Sequence, residues 1–424
     1  MKFDPSLEFA RSMDAADPLA SFRGRFHIPR HGDRDCYYFT GNSLGLQPRS
    51  VAGYLEQELE DWARLGVEGH FKARHPWLSY HESFPSLLAP VVGCRETEVV
   101  AMNSLTVNLH LLLVSFYRPT SVRFRILCEA RAFPSDQYAF ESQVRWHGYD
   151  PEEAIIEVAP RPGEHTLRTE DICSVIDRNR DSLALVVLGG VNYYTGQRYD
   201  MAAITAAAHR AGAYAGFDLA HAAGNVELKL HDWQVDFACW CSYKYLNSGP
   251  GGVAGIYIHE RHAANGAMPR FAGWWGHNKE SRFRMEKGFE PIPTAEGWQL
   301  SNAPVCSMAA HRAALEEFQA AGMERLHAKR RQLTAYLRYL LDEICRTTGS
   351  ATIEVITPAA PDACGCQVSL LITNEGLRVF DALTSEGAIA DWREPDVIRV
   401  APVPLYNRYE DCWQLVRILR TALA

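Results

Sequence analysis

Lys244 lies in the run Phe237-Ala-Cys-Trp-Cys-Ser-Tyr-Lys-Tyr-Leu246, and Asp218 closes the upstream run Tyr214-Ala-Gly-Phe-Asp218. An apolar strand ending in a carboxylate, then a second apolar strand ending in Ser-x-Lys, sets an amine and an acid at neighbouring strand ends. The amine can form a Schiff base with an aldehyde. The acid can hold a proton on a heterocyclic nitrogen, so that the ring draws electrons. This pair is what a pyridoxal phosphate (PLP) enzyme needs. The competing reading is a solvated lysine and a turn-forming aspartate. Two aromatics flank Lys244, and the flexible Asn247-Ser-Gly-Pro-Gly-Gly-Val253 follows it, which favours the chemistry.

Other residues could complete such a site. Met102-Asn-Ser-Leu-Thr-Val-Asn-Leu-His110 precedes the helical run Leu111 to Tyr117, with Ser104 and Thr106 as N-cap candidates. A helix N-terminus is a natural phosphate site, although capping alone also explains these residues. Phe133, in Arg131-Ala-Phe-Pro-Ser-Asp136, follows a strand and could stack on a pyridine ring; a core phenylalanine is the alternative. His221, three residues after Asp218, is within reach of a cofactor edge. Tyr243 could bond a phosphate or act as a general acid/base. Arg399 is embedded in the apolar Val397-Ile-Arg-Val400 and needs an anion, either a carboxylate ligand or an internal salt bridge. The turn-rich Gly41-Asn-Ser-Leu-Gly-Leu-Gln-Pro48 precedes a helix and says little by itself.

Short apolar runs alternate with helical patterns between residues 92 and 260, the signature of a mainly parallel α/β sheet. Expected strands are Arg125 to Cys128, Leu183 to Leu188, Tyr214 to Asp218, Phe237 to Cys241 and Gly255 to His259. A helix is expected over Met201 to Ala211, ended by Gly212. Ligands collect at the carboxyl ends of such strands, where Asp218, His221, Tyr243 and Lys244 all fall. After Asn302 to Pro304 comes a long amphipathic helix, Ser307 to Glu343, interrupted near Gly322. A smaller α+β unit follows, with strands near Cys366 to Ile372 and Val397 to Val400.

The chain has 424 residues, more than one typical core, so two or more domains are expected. Its 43 basic and 51 acidic residues form no basic stripe, which argues against a nucleic-acid partner. The longest central apolar stretch, Leu183 to Val191, falls far short of a membrane span. No apolar signal region follows Met1, and eleven cysteines then read as reduced thiols of a cytoplasmic protein. The pairs Cys239/Cys241 and Cys364/Cys366 lack C-x-x-C spacing and read as core thiols rather than metal ligands.

With these segments assembled, the chain resembles the kynureninases, fold-type I PLP enzymes related to the class V aminotransferases. The likeness runs through Gly41 to Pro48, Asn103 to His110, Ala132 to Asp136, Tyr193-Tyr-Thr-Gly-Gln197, Gly216 to Leu228, Asp236 to Leu246, Gly273-Trp-Trp-Gly-His277 and Arg399 to Leu405. It implies a large PLP-binding domain with a mainly parallel seven-stranded sheet over residues 46–305. It implies a smaller α+β C-terminal domain over 306–424 and an N-terminal segment, 1–45, packing on the latter. Lys244 would then carry the Schiff base, Asp218 pair with the pyridinium and Phe133 stack on the ring. Leu105, Thr106, Tyr243, Trp274 and Asn302 would contact the phosphate, some of them from the partner subunit of a homodimer. Asp136 and His221 would lie at the cofactor edge, and Arg399 would take the substrate α-carboxylate. Ser43, His70 and His277 would line the aryl pocket. The implied reaction is hydrolytic Cβ–Cγ cleavage of a small molecule, kynurenine or 3-hydroxykynurenine, and His70, Ser301 and Asn302 resemble members favouring the hydroxylated substrate. A cysteine desulfurase or aminotransferase of the same fold is the alternative.

Overall fold

The apolar runs read as strands pair side by side in a computed structural model that describes residues 2–348 and 353–423. Seven strands form one sheet: β1 (Val99–Ala101), β2 (Arg125–Glu129), β3 (Ile155–Val158), β4 (Leu183–Gly189), β5 (Tyr214–Asp218), β6 (Phe237–Trp240) and β7 (Gly255–Ile258). Their order is β1-β7-β6-β5-β4-β2-β3. From β3 across to β6 all neighbours are parallel, while β7 runs antiparallel to both β6 and β1. The sequence reading finds five of these strands within a residue of their observed ends. It lacks β1, only three residues long, and β3, which follows directly on the helical turn Pro151–Ala154.

Side-chain alternation along the strands builds two cores, one on each face of the sheet. Leu127, Val186, Leu188, Ala238 and Trp240 face one; Ile126, Cys128, Leu185, Val187, Phe237 and Cys239 face the other. The helix Met201–Arg210 packs behind β5, and the chain turns back at Gly212 with φ of +75°. Gly322, at φ +76°, breaks the long helical stretch into Val305–Ala321 and Met323–Thr348.

A four-stranded antiparallel sheet forms the second unit: β8 (Ile353–Val355), β9 (Val368–Ile372), β10 (Asp391–Arg393) and β11 (Val397–Val400), ordered β8-β9-β11-β10. Its core joins Leu370, Ile398 and Val400 to Leu333, Leu337 and Leu341 of the long helix and to Leu415 of the last one, Tyr409–Leu423. Met308, Leu315 and Phe318 of Val305–Ala321, and Leu326 beyond it, pack instead with the large sheet. Cys366, Ala401, Val403, Leu405 and Tyr406 also pack with the large sheet, so the two units interlock along the chain. At the N-terminus, the Asp14 carboxylate accepts from the Tyr409 and Glu410 N–H groups at 2.7 and 3.0 Å, capping the last helix. Tyr37–Tyr38 adds a short parallel pairing to Ala388–Ile389. Among the described residues, no helix is long and apolar enough to cross a membrane.

Asp236 ties β5 and β6 at the end opposite the site. Its buried carboxylate accepts from the Ala215 N–H at 2.7 Å and lies 2.8 Å from His209 Nε2, 2.7 Å from His262 Nε2 and 2.5 Å from Arg261 Nη2. Burial alone would raise its pKa, but His209, His262, Ala215 and Arg261 outweigh it and hold the carboxyl well below the usual range. Asp236→Asn should cost about 2–4 kcal/mol, read by urea denaturation, because it leaves buried donors without their anion. A depressed native pKa stabilises the fold above the unfolded value, so this contribution should be complete above about pH 4 and fade as the pH drops further.

Candidate active site

Strands β5 and β6 lie in parallel register with Asp218 opposite Cys239, so their carboxyl ends deliver Asp218 and the turn Cys241–Lys244 to one place. Lys244 Nζ lies 3.0 Å from His221 Nε2 and 5.7 Å from the centre of the Phe133 ring. Phe133 is 41% exposed, and its ring meets Tyr193 edge to face at 5.3 Å. Two helices, Leu105–Phe116 and Pro134–Trp146, begin at the same cleft, and their first turns are joined by Thr106 Oγ1 and Ser135 Oγ at 2.7 Å. Ser104 holds the N-cap position without a side-chain bond, and Thr106 lies one residue inside the helix rather than capping it. Unpaired N–H groups of two first turns, with aligned dipoles, make this end of the cleft suited to an anion.

Leu105, Thr106, Phe133, Asp136, Asp218, His221, Tyr243 and Lys244 all line this one cleft. The electrostatics around them are acidic. Asp218 is buried, accepts the Ala220 N–H at 2.7 Å, and has its pKa raised by burial against the opposing pull of that bond and of Lys244. Asp136 is pushed well above the carboxylate range by burial and then by Asp218, and its Oδ1 has no partner. Burial, followed by the positive charges of Lys244, Arg399 and Arg393, keeps His221 neutral, with Nδ1 unpartnered. Burial and the neighbouring Cys241 push the Tyr243 phenol up, leaving it a proton donor at neutral pH. A buried acid behind a lysine, an open aromatic face and an anion cradle fit a planar, protonated heterocycle with a phosphate tail.

Arg399 lies on β11, fully buried, and is not among the residues lining the cleft; it meets the cleft wall through Tyr193. Its Nε donates to Asp391 Oδ1 at 3.0 Å and its Nη1 to the Tyr193 carbonyl at 2.5 Å; Nη2 sits 2.7 Å from Asp391 without hydrogen-bond alignment. Arg393 Nε also lies 3.0 Å from the same Asp391 oxygen. Of the two readings open for Arg399, the internal pair exists, yet one carboxylate serves two guanidinium groups. The surplus positive charge and the unsatisfied Nη2 leave room for an anionic ligand.

Six expected site residues lie elsewhere in the single chain. Ser43, Ser301 and Asn302 are exposed. His70 bonds the Val67 carbonyl at 3.0 Å and packs on Trp77. Trp274 is 47% exposed, with Nε1 donating to the Arg282 carbonyl at 3.1 Å. His277 lies 3.1 Å from Ser281 Oγ and accepts the Glu290 N–H at 3.0 Å. The cleft also holds residues that the sequence reading lacks: Glu129, Ser135, Tyr193 and Cys241. Glu129 carried a signal, since an acid follows directly on the apolar run that ends at Cys128. Cys364 and Cys366 are buried, and burial pushes the Cys366 thiol up to about 12, which agrees with their reading as core thiols.

A protein named kynureninase from Flavobacterium psychrophilum is 53% identical over 423 residues, covering 100% of this chain and 99% of its own. One from Koribacter versatilis is 54% identical over 98% of this chain and 97% of its own, and one from Nematostella vectensis 49% over 98% and 94%. The chain belongs to the kynureninase family. The kynureninase C-terminal domain model matches residues 326–419, and the class-V aminotransferase model matches 142–360. Solved structures share the fold at low identity. The cysteine desulfurase CsdA from Escherichia coli gives a TM-score of 0.76 at 16% identity, covering 96% of this chain and 98% of its own. A C-DES mutant with glycine covalently linked to the PLP cofactor gives 0.75 at 16%, covering 94% and 98%. The fold is thus PLP-dependent fold type I, as the kynureninase resemblance implies.

The Gly41–Pro48 loop, uninformative as sequence, seats on the lysine turn: the Gly45 N–H donates to the Tyr243 carbonyl at 2.8 Å. A Cβ at Gly45 would collide with the Lys244 carbonyl and Asn247 Oδ1. Gly45→Ala should therefore displace the turn at a cost of about 1–3 kcal/mol. The loss should show as weaker retention of PLP on dialysis alongside a lower melting temperature.

Proposed function

We propose that this chain hydrolyses the Cβ–Cγ bond of L-kynurenine or 3-hydroxy-L-kynurenine, releasing L-alanine and anthranilate or 3-hydroxyanthranilate in tryptophan degradation. The observation that carries this reading is full-length likeness to proteins named kynureninase, at 53% identity, in a chain whose cleft holds Lys244 and Asp218, with Arg399 bonded to Tyr193 at its wall. When bound, PLP supplies an aldehyde for amines and a protonated ring that accepts negative charge from the adjacent carbon. In this assignment Asp218 holds the ring-nitrogen proton, Asp136 and His221 border the ring, and Phe133 covers its face. Leu105, Thr106 and Tyr243 bind the phosphate.

Lys244 anchors the cofactor and, once the substrate amine displaces it, takes the α-proton. Neutral His221, at 3.0 Å, accepts a hydrogen bond from the Lys244 ammonium and steadies it. Arg399 binds the α-carboxylate through its free donor capacity. Water adds to the ketone at Cγ, the Cβ–Cγ electron pair passes to Cβ, that carbon gains a proton to become the alanine methyl, and Lys244 returns a proton to Cα. Tyr243, or a water it orients, moves the proton in this step. Ordinary amino acids lack a Cγ ketone, so the substrate class follows.

A homodimer would explain why Trp274, Asn302, Ser301, His277, His70 and Ser43 lie outside the cleft of one chain: a second copy would bring them to it. Exposed Trp62, Phe71, Trp274 and Phe283 offer apolar surface for that contact. The polar set His70, Ser301 and Asn302 leads us to assign 3-hydroxykynurenine as the preferred substrate, because a missing ring hydroxyl would leave such groups unpaired. Eleven free cysteines favour a cytoplasmic location.

Reconstituted protein should show a visible Schiff-base band that Lys244→Ala abolishes, and should release alanine from 3-hydroxykynurenine. A band without alanine would retain the cofactor and refute the substrate. The kcat/KM for 3-hydroxykynurenine should exceed that for kynurenine by roughly 10-fold or more; parity would remove the preference. Mixing inactive Lys244→Ala with inactive Asn302→Ala subunits should restore part of the activity if a second chain completes each site. Strictly additive inactivity would sink that arrangement.

A further inference from the structure

Behind Asp218 the cleft carries a third buried acid to which the proposed chemistry gives no task. Glu129 ends β2, and its Oε1 and Oε2 accept the Gly189 N–H at 3.1 and 3.3 Å. Gly189 is the register partner of Asp218 across β4 and β5. The contact is close, since a Cβ on Gly189 would stand 3.1 Å from Glu129 Oε1. An acid in such a place is costly to bury, and a glutamine could make the same hydrogen bond to Gly189 without charge.

We infer that Glu129 is a positioning residue for Asp218: it fixes the Gly189 backbone beside the Asp218 strand and sets, by its charge, how tightly the site holds protons. The inference rests on the cofactor reading above and assigns a role beyond it. The groups facing Glu129 are Asp218 on β5, Asp136 on the helix Pro134–Trp146, Cys128 on its own strand and Tyr199 beyond β4, with Lys244 across the cleft. Lys244 is the cation among them. Burial, opposed by bonds from its own N–H and that of Gly189 and aided by Asp218, brings the Glu129 carboxyl to about 7. The site therefore gains a negative charge as the pH rises through neutrality. A negative charge there favours the protonated forms of the ring nitrogen and of the Lys244 linkage.

The test is the visible absorption of PLP-loaded protein, titrated with pH without substrate. Wild type should titrate in two steps, one of them near neutrality. Glu129→Gln should keep the band, lose the neutral step and lower the remaining midpoint by about 0.5–1 unit, because a stabilising anion is gone. Superimposable titrations of the two proteins, with both bands intact, would overturn the inference. So would a single step in wild type, a measurement that stands even if the variant fails to fold. No band in wild type would remove the cofactor reading and this inference together.

Discussion

The charge balance at the end of β5 is the constraint on which the site turns. Asp218 is a carboxylate taken out of water, and burying such a group without a cation is expensive. Lys244 across the cleft supplies part of the compensation, and the cofactor assigned to this cleft would supply the rest at closer range. Asp136 and Glu129 sharpen the same demand, since burial raises all three acids towards neutrality. His221 answers with the opposite shift: burial, and then the charges of Lys244, Arg399 and Arg393, hold it neutral as an acceptor. Burial sets the direction of each shift, and the neighbouring charges adjust it.

The sheet serves this arrangement by bringing strand ends together. Parallel register delivers Glu129, Gly189, Asp218 and the Cys241–Lys244 turn to one edge, while alternation sends the residues between them into two cores. The antiparallel β7 does no such delivery, and it contributes its length to packing instead. Gly45 and the Gly41–Pro48 loop hold the lysine turn from outside the sheet.

Much of this is legible in the sequence. Strands built of Val, Ile, Leu and Phe announce themselves, and β5 and β11 match their expected ranges residue for residue. β1 was not legible, having only three residues, and neither was β3, which runs on without a break from the helical turn Pro151–Ala154. The chemistry was legible where it sat on such strands, as with Asp218 and Lys244. It was obscure where a group acts by burial, as with Glu129, because nothing in a sequence states how deeply one acid sits among others. Arg399 lies between: an arginine within an apolar strand proclaims a need for an anion, yet only packing reveals Asp391 and the share Arg393 takes of it.

The Arg399 to Tyr193 contact has a wider meaning. It joins β11, which belongs to the second core, to the segment after β4, which belongs to the first. A ligand clasped between Lys244 on one side and Arg399 on the other would lend its binding energy to both cores at once. Neither half could then loosen without surrendering the ligand, and the two units would melt as a single cooperative one whenever the site is filled.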